Sequence, residues 1–399
     1  GLFWPRLHRC HLRKRLDDRM YNAERGLFEM RQGRPLLVTE ANAVGSEGRA
    51  VLVGSVEGLD DERLSTLLRF AGGAPRLVLT SHRVAAMGLQ EGEGDVRRAC
   101  VLGPLDGLGA DALADLAAGS RPAFMGDGWS LEPAAEPEAV ALELARLGRL
   151  LPALVAVELE PERSERLEAV LEARAVLTVS VEEARAYTDR AGREVVKLGE
   201  APVPLVEAED STFILFREAS GLQEHVAILV GSREDWPDPV PVRLHSACLT
   251  GDLFGSLRCD CGEQLRGSMK HFAARGGGML LYLAQEGRGI GLRNKFRAYT
   301  LQETGLDTID ADGTLGFGAD ERRYDVAVRI LEQLGIERIE LLTNNPEKMR
   351  AMRDAGIQVE FRQPLHGTLN RHNLPYVRAK VKRAGHWLGD MLGQPLSGA

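Results

Sequence analysis

Three of the chain's five cysteines fall within fourteen positions. They lie in the run Arg243-Leu244-His245-Ser246-Ala247-Cys248-Leu249-Thr250-Gly251-Asp252 and in Arg258-Cys259-Asp260-Cys261-Gly262. Thiolate is a preferred zinc ligand, and a catalytic zinc site keeps three protein ligands with one position open. A Cys-x-Cys pair that follows a third cysteine across a ten-residue loop can deliver three thiolates to one ion. A purely structural site normally closes with four ligands, and no fourth cysteine lies nearby. His245 is either that fourth ligand or a substrate-facing residue on the strand leading into Cys248. A metal lowers the pKa of a bound water to about 7, so such a site would hydrolyse an electrophilic carbon: an amide, an amidine or an activated ring. The competing reading is a cluster of buried free thiols.

Three further stretches carry chemistry. Gln285-Glu286-Gly287-Arg288-Gly289-Ile290-Gly291-Leu292 puts glycines at the mouth of a helix directly after an apolar strand. Backbone N–H groups there can take an anion, and Arg288, Arg293, Lys295 and Arg297 crowd the same stretch. The alternative is a solvated basic helix face. Glu286 beside that loop suits a magnesium ion or a base amide. Gly316-Phe317-Gly318-Ala319-Asp320-Glu321-Arg322-Arg323-Tyr324 is a glycine-rich turn. Its Asp320 is either a helix N-cap or, with Arg322, an acid–base and phosphate-contacting pair. Leu342-Thr343-Asn344-Asn345-Pro346-Glu347-Lys348 runs from a strand into a helix, with Thr343 and Lys348 placed for a nucleotide.

The elements that must position these residues follow from periodicity. Strands are expected at Val240–His245, Met279–Leu283, Ile339–Leu342 and Ile357–Phe361. Helices are expected at Glu263–Arg275, Ile290–Thr304, Arg323–Leu334 and Pro346–Ala355. The first half also alternates. It predicts a helix over Asn22–Gln32, strands near Leu36–Thr39, Ala50–Val53, Arg76–Thr80 and Ala153–Glu158, and helices at Leu59–Phe70 and Leu142–Leu151. Residues 106–138 read as loops and short helices. The fold class is α/β (α+β) in two domains, each a mixed sheet covered by helices. Residues 1–20, rich in arginine, are expected to be a disordered extension, followed by domains over 21–193 and 194–399. A secretory signal would need an apolar core after that basic start, and Asp17 and Asp18 weigh against a transit peptide.

With 399 residues, 44% hydrophobic and 27% charged, the composition is that of a soluble globular protein. No apolar run approaches the roughly 20 residues of a membrane span, so no membrane association is expected. The net charge of −8 argues against a nucleic-acid partner. Clustered cysteines point to a metal or redox site in a reducing cytoplasm.

Taken together, these segments resemble GTP cyclohydrolase II, the first enzyme of riboflavin synthesis. The matching pieces are His-Ser-x-Cys-x-Thr-Gly-Asp, Ser-Leu-Arg-Cys-Asp-Cys-Gly, Gln-Glu-Gly-Arg-x-Ile-Gly-Leu, Leu-Gly-Phe-x-Ala-Asp-Glu-Arg and Leu-Leu-Thr-Asn-Asn-Pro, in the family's order across residues 195–390. The resemblance implies one zinc ion per subunit on Cys248, Cys259 and Cys261, opening the guanine ring of GTP at C8 with release of formate. It implies Asp320 as acid–base residue, Tyr299 as a hydroxyl near the reacting centre, and Arg322 at the α-phosphorus as either nucleophile or electrostatic partner. Arg243, Leu244, His245, Ser246, Ala247, Gln264, Glu286, Gly287, Arg288, Thr308, Thr343 and Lys348 would contact GTP. Magnesium would accompany the triphosphate, pyrophosphate would leave, and the enzyme would be a cytoplasmic homodimer.

The amino-terminal half faintly resembles 3,4-dihydroxy-2-butanone 4-phosphate synthase, through Gly33-Arg34-Pro35-Leu36-Leu37-Val38 and Arg76-Leu77-Val78-Leu79-Thr80. The acidic metal-binding loop of that family stands here as Ala43-Val44-Gly45-Ser46-Glu47-Gly48-Arg49, with Glu47 alone remaining. A hard cation needs clustered carboxylates, so this half is expected to be non-catalytic and to serve packing or dimerisation. Cys10 and Cys100 have no evident partners in the sequence. Three rivals remain for the whole: a paralogue that stops short of full turnover, a zinc-stabilised nucleotide sensor, and a bifunctional enzyme.

Overall fold

The computed structural model describes residues 13–40, 49–89, 99–120, 128–159 and 176–393. The Glu47 loop and the basic residues before Arg13 lie outside them. The chain forms two compact units. The first comprises residues 1–79, 97–116 and 124–189, and the second residues 80–96, 117–123 and 190–399. No helix among the described residues is long and apolar enough to cross a membrane.

The first unit opens with α1 (Arg13–Arg31) and the strands β1 (Leu36–Thr39) and β2 (Ala50–Ser55). The helix expected from Asn22 starts nine residues earlier. Next come α2 (Asp61–Ala71), β3 (Arg76–Thr80) and α3 (Ser81–Ala86), the last grouping with the second unit. Asp60 caps α2 by accepting from Arg63 N at 2.8 Å, and Gly72 at φ 86° ends it. The unit continues through β4 (Ala99–Gly103), α4 (Ala110–Ala118), β5 (Ser130–Pro133), α5 (Glu136–Leu147), β6 (Ala153–Glu158), β7 (Leu177–Ser180) and α6 (Val181–Arg190). Its sheet runs β5-β4-β3-β6-β2-β1-β7 and is mixed, with β1 antiparallel to β2 and parallel to β7. Within residues 106–138, β5 was not expected. It is mostly exposed and held by pairing to β4, which leaves no apolar period to read.

The second unit begins with three antiparallel strands, β8 (Val195–Pro202), β9 (Ser211–Glu218) and β10 (Glu224–Val230). A turn through Ala219-Ser220-Gly221 joins β9 to β10. Then follow β11 (Val240–Ser246), α7 (Leu249–Asp252), α8 (Cys261–Ala274), β12 (Gly278–Leu283), α9 (Leu292–Glu303), α10 (Thr308–Thr314), α11 (Asp325–Gln333), β13 (Arg338–Leu342), α12 (Pro346–Asp354), β14 (Gln358–Gln363) and α13 (Leu374–Ala384). The sheet order is β14-β13-β11-β12-β10-β9-β8, with β11 parallel to β12 and β13. Leu244, Leu281, Leu341 and Ile330 belong to its core, all at 0% exposure. Each unit is thus a mixed sheet with helices, as the α/β periodicity requires. In the second, the carboxyl ends of β11, β12 and β13 lead into Cys248, Gln285–Gly289 and Thr343–Asn345. Open α/β sheets bind ligands at that edge.

Candidate active site

β11 is buried on both faces and delivers Arg243, His245 and Ser246 toward the edge of the sheet before the chain turns into α7 at Cys248. Cys259 precedes α8 and Cys261 opens it. The three Sγ atoms lie within 4.8 Å of one another, and Cys248 Sγ is 3.7 Å from Cys259 Sγ. Tetrahedral ligation at a Zn–S distance of about 2.3 Å requires sulfurs about 3.8 Å apart, so this donor set fits zinc. Gly251 makes the close approach possible. A Cβ there would stand 2.7 Å from Cys259 Sγ, 3.0 Å from Cys261 Cβ and 3.1 Å from Cys248 Sγ. Hydrogen bonds from Cys259 and Cys261, helped by Lys295, lower the Cys248 pKa and favour its thiolate.

The thiols are framed by a buried network. Asp252 accepts from Cys248 N at 2.9 Å and from the Tyr282 hydroxyl at 2.9 Å, and its other oxygen meets His245 Nε2 at 3.0 Å. Burial is the main cause that lowers the His245 pKa, against the raising effect of the Asp252 hydrogen bond. With Nε2 turned to Asp252, His245 stands outside the three-thiol group. Lys295 Nζ donates to Glu286 Oε1 at 2.8 Å, Thr250 Oγ1 at 3.0 Å and Cys248 Sγ at 3.2 Å. Glu286 in turn accepts from Leu249 N at 2.7 Å, which ties the loop after β12 to the cysteine turn.

That loop needs its glycines. Gly287 has φ 63°, and a Cβ on Gly289 would come within 2.7 Å of the Glu321 backbone. Arg288 also adopts a positive φ, 61°, a strained conformation for a side-chain-bearing residue. Its guanidinium holds it there, donating to Ala319 O and Asp312 Oδ2, both at 2.9 Å. Burial pushes the Asp312 carboxyl up to about 7 against the opposing effect of Arg288.

These residues line a cavity of about 960 Å³. Buried cations line the same cavity. Arg243 donates to Leu342 O at 2.9 Å and Gln264 Oε1 at 2.6 Å, and burial lowers its pKa to about 10. Lys348, 4% exposed, donates to Leu244 O at 2.7 Å. Burial and the neighbouring Arg243 and Arg322 push its pKa well below the usual lysine range. Arg322 donates to both oxygens of Asp320, through Nε at 2.8 Å and through Nη2. Burial alone would raise the Asp320 carboxyl, but Arg322 outweighs it and holds the pKa low. Burial works against the guanidinium charge too, and Tyr324 and Asp320 more than offset it.

Among the residues anticipated from sequence, Cys248, Cys259, Cys261, Asp320, Arg322, Tyr299, Arg243, His245, Ser246, Ala247, Gln264, Glu286, Gly287, Arg288, Thr308, Thr343 and Lys348 all line this one cavity. Leu244 is the exception: its side chain is fully buried in the sheet core, and only its carbonyl turns toward Lys348. Alternation along β11 sends it to the opposite face from Arg243 and His245. Lys295, marked in the sequence only as one of four basic residues beside the glycine loop, also lines the cavity, along with Tyr376, Lys380 and His386 of the carboxyl-terminal segment. Lys380 Nζ stands 4.2 Å from the Tyr376 ring centroid and 3.9 Å from Asp260 Oδ1. Their i, i+4 spacing on α13 was the available signal.

Residues 196–364 match the family model described as GTP cyclohydrolase II. The chain is 43% identical over 363 residues to a GTP cyclohydrolase-2 of Xylella fastidiosa, covering 91% of this chain and 86% of that protein. With a GTP cyclohydrolase-2 of Azospirillum brasilense it shares 41% over 375 residues, 92% and 94% of the two chains. A third, from Azotobacter vinelandii, is 54% identical over 174 residues, 44% of this chain and 83% of the relative. Among solved structures, a two-domain 3,4-dihydroxy-2-butanone 4-phosphate synthase from A. baumannii aligns over 86% of this chain and 99% of its own, at 16% identity and a TM-score of 0.35. Identity above 40% along nearly the full length of two curated relatives places this chain in the GTP cyclohydrolase II family.

Proposed function

We propose that the chain hydrolyses GTP, releasing formate and pyrophosphate and leaving 2,5-diamino-6-ribosylamino-4(3H)-pyrimidinone 5′-phosphate, the first step of riboflavin biosynthesis. The observation that carries this is the juxtaposition of a three-thiol metal site with a buried cationic wall in one cavity. A guanine ring has to reach the metal while a triphosphate lies along the cations.

Cys248, Cys259 and Cys261 hold one zinc ion per subunit. Zinc supplies Lewis acidity that makes water a nucleophile at neutral pH, which hydrolysis at C8 of the ring requires. Glu286 and Gln264 present acceptors to the guanine edge, and Tyr299 presents its hydroxyl near the reacting carbon. Burial pushes that hydroxyl up to about 12, so Tyr299 donates rather than ionises. Arg243, Arg288, Lys348 and Thr343 bind the phosphates, with Thr308 and the backbone from His245 to Ala247 along the nucleotide. Magnesium accompanies the triphosphate. Arg322 keeps its proton beside Asp320, and a protonated guanidinium has no lone pair to attack phosphorus. Its role is electrostatic: it turns from Asp320 to the α-phosphate as pyrophosphate leaves. Water attacks the α-phosphorus as the bond to pyrophosphate breaks, and Asp320, released from the ion pair, accepts the proton of that water. The amino-terminal half is a non-catalytic relative of the butanone-phosphate synthase, and the enzyme works in the cytoplasm as a homodimer.

Formate and pyrophosphate are to be quantified in one time course from purified chain, GTP, magnesium and zinc, with Cys259→Ala alongside. Equal release of both, with formate lost in the variant, is the expected result. Pyrophosphate without formate from the intact chain refutes ring opening, and neither product despite bound zinc and GTP leaves a nucleotide sensor.

A further inference from the structure

The segment between α10 and α11 carries Asp320 and Arg322 and has no regular secondary structure, so its shape depends on what grips it. One grip comes from the loop after β12. Glu321 N donates to Arg288 O at 3.0 Å, and Arg288 Nη1 donates to Ala319 O at 2.9 Å. The other comes from α3, more than 200 residues earlier in the chain. Thr80 Oγ1 donates to Gly316 O at 2.6 Å, and Arg83 Nη1 donates to Thr314 O at 2.9 Å.

Thr314 is the last residue of α10, where a helix leaves its final carbonyls without intrahelical partners, and Gly316 lies two residues beyond it. Both bonds are buried, and Arg83 is 1% exposed, so water does not substitute for the lost donor. A cation at a helix carboxyl terminus also matches the helix dipole. Thr80 does two jobs with one hydroxyl: while donating to Gly316 it accepts from Arg83 N at 3.2 Å, capping α3. Packing is tight there as well. A Cβ on Gly318 would lie 3.2 Å from His82 Nε2 and 3.3 Å from Glu321 Oε1. The gripped carbonyls stand four and six positions before Asp320.

We infer that α3 is a positioning element for the hydrolysis: Thr80 and Arg83 set the placement of Asp320 and Arg322 through the carbonyls of Gly316 and Thr314. The inference rests on the cyclohydrolase reading for what Asp320 and Arg322 do. It gives α3 a part in turnover, although none of its described side chains lines the cavity. Misplacement of reacting groups by about 1 Å costs up to ~100-fold in rate.

The test uses the full chain and the pair Thr80→Val and Thr80→Ser. Valine keeps the shape and removes the hydroxyl, and serine restores it. Formate release gives kcat and KM for GTP, with zinc content and thermal midpoint measured on the same samples. Thr80→Val is expected to lose about tenfold in kcat with KM and zinc content within about twofold of wild type, and Thr80→Ser to recover wild-type kcat. Wild-type kcat in Thr80→Val, or equal loss in both variants, overturns the inference. Should the valine variant fail to fold, Arg83→Lys against Arg83→Met supplies the same contrast, since lysine keeps one donor to Thr314; equal kcat in those two overturns it. Absence of formate release from the wild-type chain refutes the cyclohydrolase reading instead.

Discussion

Gly251→Ala adds a single methyl group among three sulfur ligands, and its consequence can be worked from distances. The new carbon would lie 2.7 and 3.1 Å from the Sγ atoms of Cys259 and Cys248, and 3.0 Å from Cys261 Cβ. Comfortable non-bonded separations are about 3.5–4.0 Å, so each contact is short by roughly 0.5–1 Å. The conflicting atoms are the proposed ligands themselves, whose spacing a bound zinc would fix, so they cannot move aside and still bind. Overpacking of this kind costs about 1–3 kcal/mol, which corresponds to roughly 5- to 150-fold in zinc affinity. Backbone preference works the other way, since Gly251 lies within α7 and alanine in a helix gains about 0.5–1 kcal/mol over glycine. Gly313 in α10 is the matched control, with nothing within 4 Å of an added Cβ. Competition against a chromophoric chelator reads zinc affinity, and formate release reads function. Gly251→Ala is expected to weaken both while Gly313→Ala leaves both unchanged. Wild-type zinc affinity in Gly251→Ala would refute a metal held by these three thiols.

Two further outcomes follow from the charged wall of the cavity. Lys348 is buried, bonded to a carbonyl and repelled by Arg243 and Arg322, so without an anion its charge is a liability. Lys348→Met is expected to raise the thermal midpoint of the GTP-free chain and to raise KM for GTP about tenfold, the scale of one charge-assisted contact; a lower midpoint with unchanged KM contradicts this. The wild-type lysine, with its pKa lowered by folding, also makes GTP-free stability rise with pH toward the unfolded value of about 10.4, and the variant flattens that slope. Asp312 titrates at about 7, so acidification below that point removes the counter-charge from Arg288, and kcat/KM for GTP should fall as pH drops through the same range. Because folding raises this pKa, its contribution to stability is greatest at low pH and is lost as pH rises through about 7. Asp312→Asn should abolish both pH steps, as read from rate profiles and from thermal midpoints at acid and alkaline pH, and their persistence in the variant assigns them to another group.

How much of this was legible in the sequence depends on which physical signal carried each residue. The parallel core of the second unit was readable because β11, β12 and β13 are short apolar runs with chemistry-bearing residues at their carboxyl ends, and strand length and site position go together in open α/β sheets. The cysteine cluster was readable from spacing. Leu244 turns only its carbonyl toward the site, because the period of two along a strand separates its side chain from those of Arg243 and His245. Lys295 was visible but indistinct among Arg293, Lys295 and Arg297. Arg293 is exposed, whereas Lys295 is buried on the face it shares with Tyr299 four residues on, so the i, i+4 rule applied to Tyr299 would have singled it out. Net charge misleads for a related reason. The −8 of the whole chain averages over its surface, whereas Arg243, Arg322 and Lys348 are cations turned inward. What no local pattern could supply is α3 beneath the Asp320 loop. Ser81-His82-Arg83 looks like any polar helix start, whereas Thr80 and Arg83 each donate to a carbonyl that the chain supplies more than 200 residues later. Periodicity reports which face of an element is buried and is silent about what buries it, so residues acting through long-range hydrogen bonds to backbone are the ones a sequence hides.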